Sequence, residues 1–281
     1  MYDALNKIVI DAVIAPAKAY EVDLSIGHLQ HTAPGDMILG DRNYSSYRHL
    51  AAITKCGIDY TIRCSRSSFA AVREMFEQDI VTSRIVTLTP QPDVKKQIQA
   101  EGLPEQITVR LVSVRLDTGE LEVLVTSLLD EQEYPTEGFK ELYHLRWGVE
   151  GFYGLIKERL NLENFTGKTA LSVKQDFYAT IFIVGLESIL SQKADQELAK
   201  KSEANALEQT VNNMVSFNGI KNHVIELFFD QSKPIELLLE TLTNWFMMNP
   251  TYTNREREVP RKKNSPRISL NYNKRRRKLC F

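Results

Sequence analysis

Two short apolar runs do most to limit the folds open to this chain. DMILGD (Asp36–Asp41) and DYTIRC (Asp59–Cys64) are bounded by turn residues, and Ser45–Lys55 between them reads as a helix stopped at Gly57. Short apolar runs of that kind are buried strands. Upstream, KIVIDAVIA (Lys7–Ala15) is rich in β-branched residues and reads as another strand, and Ala17–Gln30 as a helix that stops near Pro34–Gly35. Met1–Tyr2, before a turn at Ala4–Asn6, reads as the end of a preceding strand. Strand, helix, strand, helix, strand is the alternation of an α/β protein with parallel pairing.

The pattern changes after Cys64. FAAVREMF is a helical piece, and ITVRLVSVRL and LEVLVTSLL are strands joined at Asp117-Thr118-Gly119, a hairpin signal. From Pro135 the chain reads as helix: Thr136–Leu160, Ser172–Lys200, Leu207–Phe229 and Pro234–Met248, with Pro250 closing the globular part. The expected organisation is therefore an α/β core over 1–64, a β-rich insertion over 65–131, core helices over 132–200, a helical region over 201–250 and a basic tail over 251–281. A hydrophobic share of 43% over 281 residues supplies a sizeable core. Three cysteines without a C-x-x-C pair argue against a disulfide framework or zinc, and fit a reducing, cytoplasmic compartment. MYDALNK lacks a signal peptide's charged and apolar regions, and the most apolar stretch, Tyr178–Leu190, is too short to span a membrane. Net charge is −1, but Asn254–Phe281 holds eleven Lys or Arg against two Glu, so an arm of +9 extends from a body of −10. A polyanion, nucleic acid first, is the partner such an arm suits; an idle solvated tail is the plainer alternative.

The stretch YHLRWGVEGFYGLIKERL (Tyr143–Leu160) reads as helix with four polar interruptions. On a wheel of ~100° per residue, Tyr143, Arg146, Glu150 and Lys157 fall within about 60° of one another, bordering the apolar face. An ordinary amphipathic helix would explain exposed polar residues. This set, however, joins a carboxylate that can hold a hard divalent cation to cations and a phenol that bind phosphate.

Spaced Y-(2)-R-(3)-E-(6)-K, these four residues resemble the signature of DDE transposases of the "IS-four" insertion-sequence family, and the likeness runs over roughly Met1–Asn249. The resemblance implies a ribonuclease-H-like mixed sheet with helices, and a second acid that ends a strand and precedes Arg, which Asp41 and Arg42 match. Asp41 also suits a helix cap or turn. The resemblance further implies a site with Asp41 and Glu150 as catalytic metal ligands, Mg²⁺ (or Mn²⁺) as cofactor, and Tyr143, Arg146, Lys157 and Arg42 on DNA. Two ions would support in-line displacement at phosphorus, with double-stranded DNA as substrate and a homodimer as the synaptic assembly.

The family's first aspartate sits on a first strand that this sequence is expected to lack, giving a truncated copy with an incomplete metal site. Asp11 would fall about three strand spacings from Asp41 in a 3-2-1-4-5 sheet, roughly 14 Å, too far to share a metal, and Asp3 in a hairpin turn fares no better. His28 and His31 form an H-x-x-H pair with no third ligand nearby in sequence and are read as surface or core histidines; Cys56 and Cys64 are read as buried free thiols. A catalytically inactive DNA-binding or transposase-pairing remnant is the alternative function, and a stand-alone nuclease a third.

Overall fold

The protein is described from a computed structural model. It covers residues 1–254 except 17, 163, 203–206, 231 and 233, and excludes the side chains of 158, 159, 253 and 254. The basic arm beyond residue 254, with Cys280, lies outside the described residues. The chain divides into two units. One comprises Met1–Leu5 and Ile10–Glu150, the other Asn6–Val9 and the chain from Gly151 onward.

In the first unit the strand–helix–strand reading holds. Strands β1 (Tyr2–Asp3) and β2 (Ile8–Val9) are two residues each, β2 falling to the second unit. The nine-residue strand expected at Lys7–Ala15 is thus cut to Ile8–Val9; residues 10–16 take no regular structure, and Ile10 and Val13 stand exposed. Helix α1 (Glu21–His28) continues as a 3₁₀ turn, Leu29–His31. Then come β3 (Met37–Gly40), α2 (Tyr47–Cys56) and β4 (Asp59–Arg63). The Ser46 hydroxyl caps the start of α2 by accepting from the His49 amide, and Gly57 ends it at φ 70°, where a side chain would be strained. β3 and β4 pair in parallel, Gly40 opposite Ile62.

Helix α3 (Ala70–Gln78), strand β5 (Ser83–Leu88) and helix α4 (Pro92–Ala100) lead to the hairpin β6 (Ile107–Arg115) and β7 (Leu121–Thr126). β7 pairs antiparallel with β4, β6 with β7 and β5 with β6, giving one mixed sheet in the order β3-β4-β7-β6-β5. This order differs from 3-2-1-4-5, and β1 and β2 are not part of the sheet. Alternation sends Tyr60, Ile62, Val109, Leu111, Val123 and Val125 into a core beneath α2, α3 and α4. It sends Val112, Val114 and Leu124 to the opposite face, against Phe139 and Tyr143 of α5 (Gly138–His144). A fully buried Leu or Ile there stabilises by roughly 1.5–3 kcal/mol.

The long helix expected over Thr136–Leu160 is in fact three pieces: α5, α6 (Trp147–Gly154) and a π-helical turn, Leu155–Arg159. The division between units falls inside α6, after Glu150. At the first break the Leu145, Arg146, Gly148 and Val149 amides each reach back three residues instead of four. The wheel therefore winds tighter there than an α-helix, and Leu145 is 41% exposed.

The second unit is helical. α7 (Ala170–Ser202) packs with α8 (Asn213–Phe228) and α9 (Ile235–Met248) around Ala194, Leu198, Ile220, Leu242 and Phe246. A Cβ at Gly219 would come within 3.1 Å of the Phe246 ring, so α8 and α9 meet at a bare backbone. Two expectations fail here. Leu207–Thr210 is strand β8, and α8 begins only at Asn213, where the Asn212 side chain accepts from the Met214 amide. The chain also continues past Pro250 as β9 (Thr251–Asn254), antiparallel to β8. Among the described residues no helix is long and apolar enough to cross a membrane.

Candidate active site

The site starts at the carboxyl end of β3. Gly40 ends the strand where no side chain fits: a Cβ would lie 3.0 Å from Ile62 and 3.3 Å from Tyr44. Asp41 follows, half-buried, and caps a 3₁₀ turn (Arg42–Tyr44) with Oδ1 2.8 Å from the Asn43 amide. The capping role allowed by the sequence is thus real. Arg42, next along, is exposed.

Tyr143 reaches this strand end from α5. It is 5% exposed, and its hydroxyl donates to the Gly40 carbonyl at 3.2 Å. Burial pushes its pKa up to about 12; Arg146 and Arg63 oppose the shift, and Glu122 and Asp41 add to it. Four charged side chains of the first unit therefore act on one phenol. Arg63 and Glu122 were not singled out from the sequence. Arg63 ends β4, parallel to β3, and Glu122 opens antiparallel β7, so both reach the sheet end where Asp41 lies. Their parity places them on the face covered by α5, which strand alternation could have revealed. They pair at 2.6 Å. Burial works to lower the Arg63 pKa, but the hydrogen bond to Glu122 together with the charges of Tyr143, Glu122 and Asp41 leaves it raised.

Arg146 sits in the break between α5 and α6. It is 8% exposed, its guanidinium lies 5.5 Å from the Tyr143 ring centre and 5.1 Å from that of Trp147, and its Nη2 donates to Glu150 Oε1 at 2.9 Å. The Glu150 side chain is 41% exposed. The Nε atoms of Arg63 and Arg146 are buried without a hydrogen-bond partner. Trp147, beside that guanidinium, is 41% exposed, and Phe152 is buried. Lys157 belongs to the second unit, in the π-helical turn, with its ammonium 5.3 Å from the Tyr153 ring centre. Of the predicted residues, Asp41, Tyr143, Arg146 and Glu150 lie in one unit, and Lys157 in the other.

The donor set does not complete a metal site. Among the described residues no group of three or more His, Cys, Asp or Glu side chains could hold an ion. Asp41 is engaged with Asn43, Glu150 with Arg146 and Glu122 with Arg63. Asp3 Oδ1 accepts from the Leu5 amide, and Asp11 lies off the main sheet. Cys64 is buried, its thiol pushed up to about 12 by that burial, whereas Cys56, expected buried, is exposed.

This sheet end gathers two arginines, three carboxylates and a buried phenol, with the Nε atoms of both arginines buried and unpaired. The class this defines is a mixed α/β domain with a five-stranded sheet and several helices. Residues 1–186 match the family described as Transposase DDE domain, and the chain belongs to that family. Its general function is therefore DNA transposition. No curated protein matches the chain.

Proposed function

We propose that the chain is a transposase of the IS-four type, with a ribonuclease-H-like core, that grips double-stranded DNA through Tyr143, Arg146, Lys157, Arg42 and, additionally, Arg63. Asp41 and Glu150 are its catalytic carboxylates. The observation that carries this reading is the bond from Tyr143 to the Gly40 carbonyl. It ties the Y-R-E segment to the strand end bearing Asp41, which no spacing along the chain could do. The unpartnered Nε–H groups of Arg63 and Arg146 support a phosphate in the same place. Electrostatic grip on DNA would also draw on the basic arm, and the division into core, insertion, helical region and tail remains part of the proposal.

Asp41 and Glu150 would be the carboxylates to hold the family's divalent cation, Mg²⁺ (or Mn²⁺), which would supply charge stabilisation for displacement at phosphorus. Both carboxylates are committed, Glu122 beside them is held by Arg63, and among the described residues no group of three such side chains could hold an ion, so we assign the chain an incomplete metal site and derive no step through the ion. The second reading, a DNA-binding or transposase-pairing remnant, is favoured by the same engagements and by a stripe on α7. Leu171, Tyr178, Phe182 and Ile189 lie about 180° around that helix from its buried face and are all exposed. Apolar surface of this kind marks an interface, here with a second copy.

Strand cleavage and binding on DNA carrying the element's ends, with Mg²⁺ or Mn²⁺, test both parts. Binding without cleavage is expected. Cutting that disappears in Asp41→Asn and Glu150→Gln would overturn the incomplete site, and failure to bind DNA would overturn the transposase reading.

A further inference from the structure

A segment that the site does not use ties two distant parts of the first unit together. The Asp11 carboxylate is gripped twice, by His28 Nδ1 at 2.7 Å and His31 Nε2 at 3.2 Å, both on the same Oδ2. This is where the H-x-x-H pair finds its partner. Burial tends to raise the Asp11 pKa, but the hydrogen bond and charge of His28, with that of His31, leave it lowered. From Asp11 the hold passes along the backbone: the Ile10 and Asp11 amides donate to the Met1 carbonyl at 3.1 and 3.4 Å. At the other end, Tyr2 and Ala4 lie on Gly148, where a Cβ would be 3.5 Å from Ala4 Cβ and 3.8 Å from the Tyr2 ring. Gly148 stands midway between Arg146 and Glu150, in the first turn of α6.

We propose that Asp11, His28 and His31 are positioning residues. Through the Met1–Ala4 segment they clamp the first turn of α6 and fix where Arg146 and Glu150 stand. The significance of that placement rests on the reading of Arg146 and Glu150 as site residues; the mechanical coupling does not.

Hydrogen exchange on the full chain, without DNA or metal, tests the coupling. Asp11→Asn removes a charge-assisted hydrogen bond, so amides of residues 146–150 should exchange roughly tenfold faster while those of β6 and β7 keep their rates. Trp147 emission, read in a Trp245→Phe background, should shift with them. Should Asp11→Asn fail to fold, Gly148→Val serves instead: its added bulk against Ala4 and Tyr2 should speed exchange at residues 1–5 and 146–150 together. Faster exchange confined to residues 10–12 and 28–31, with 146–150 unchanged, would overturn the proposal. A failed DNA-binding or cleavage assay would bear on the function alone and leave this result as it stands.

Discussion

The Tyr143 hydroxyl donates to a single backbone oxygen, and that bond joins α5 to the end of β3. Tyr143→Phe keeps the packing and removes the bond, so a loss of about 1 kcal/mol is expected. The denaturation midpoint in urea reads it, and DNA affinity should fall with it. Arg110 is a larger stake. It is fully buried, with Nε on Ser83, Nη1 on the Tyr134 carbonyl at 2.6 Å and Nη2 on Thr136, and its guanidinium sits 5.3 Å from the Phe139 ring centre. It anchors the connection through which the chain enters α5. Arg110→Met fills the space but leaves those acceptors bare, and about 3 kcal/mol of stability should go. Arg110 lies within strand β6. Its burial depends on α5 covering that face of the sheet, which the strand itself does not specify.

Elements bear out the sequence where periodicity is local and long. The α2, α3, α7 and α9 readings and the β6–β7 hairpin all stand close to their expected places. The misses sit where a neighbour decides. Leu207–Thr210 has helical composition but finds β9 as a partner, and the α5–α6 join is tightened to let Arg146 reach both Tyr143 and Glu150. Helix α7 shows a second kind of tertiary cost. Glu187, 6% exposed, accepts from the Ser216 hydroxyl at 2.5 Å, and burial raises its pKa, with that hydrogen bond opposing. A carboxyl whose folded pKa lies above its unfolded value of 4.5 destabilises the fold increasingly as pH climbs from 4.5 toward the folded value, and by a constant amount above it. Glu187→Gln should therefore be the more stable protein at pH 7, with its advantage vanishing below pH 4.5, as thermal melts across that range would show. On the opposite face of α7, Phe182 is 58% exposed. If this face pairs two copies, Phe182→Glu should convert a dimer to a monomer in light scattering with no change in helix content by circular dichroism.

For the molecule as a whole, charge separates into an acidic body and a basic arm of eleven cations. Deleting residues 255–281 should weaken DNA binding and flatten its dependence on salt, because each phosphate neutralised contributes to the slope. An unchanged slope would mark the arm as idle. The sequence by itself determined the α/β class, the parallel pairing of β3 and β4, the hairpin, and a four-residue signature specific enough to point to the family that residues 1–186 match. These arise from patterns set by residues near one another along the chain, where periodicity and turn chemistry act directly. Only the tertiary structure decided that the hairpin extends the main sheet and that Arg63 and Glu122 pair at the sheet end beside Tyr143. It alone broke the signature helix, buried Arg146 against Glu150, and gave His28 and His31 their carboxylate in Asp11. Each of those outcomes depends on which surfaces meet across many residues of chain, and no local pattern encodes the partner.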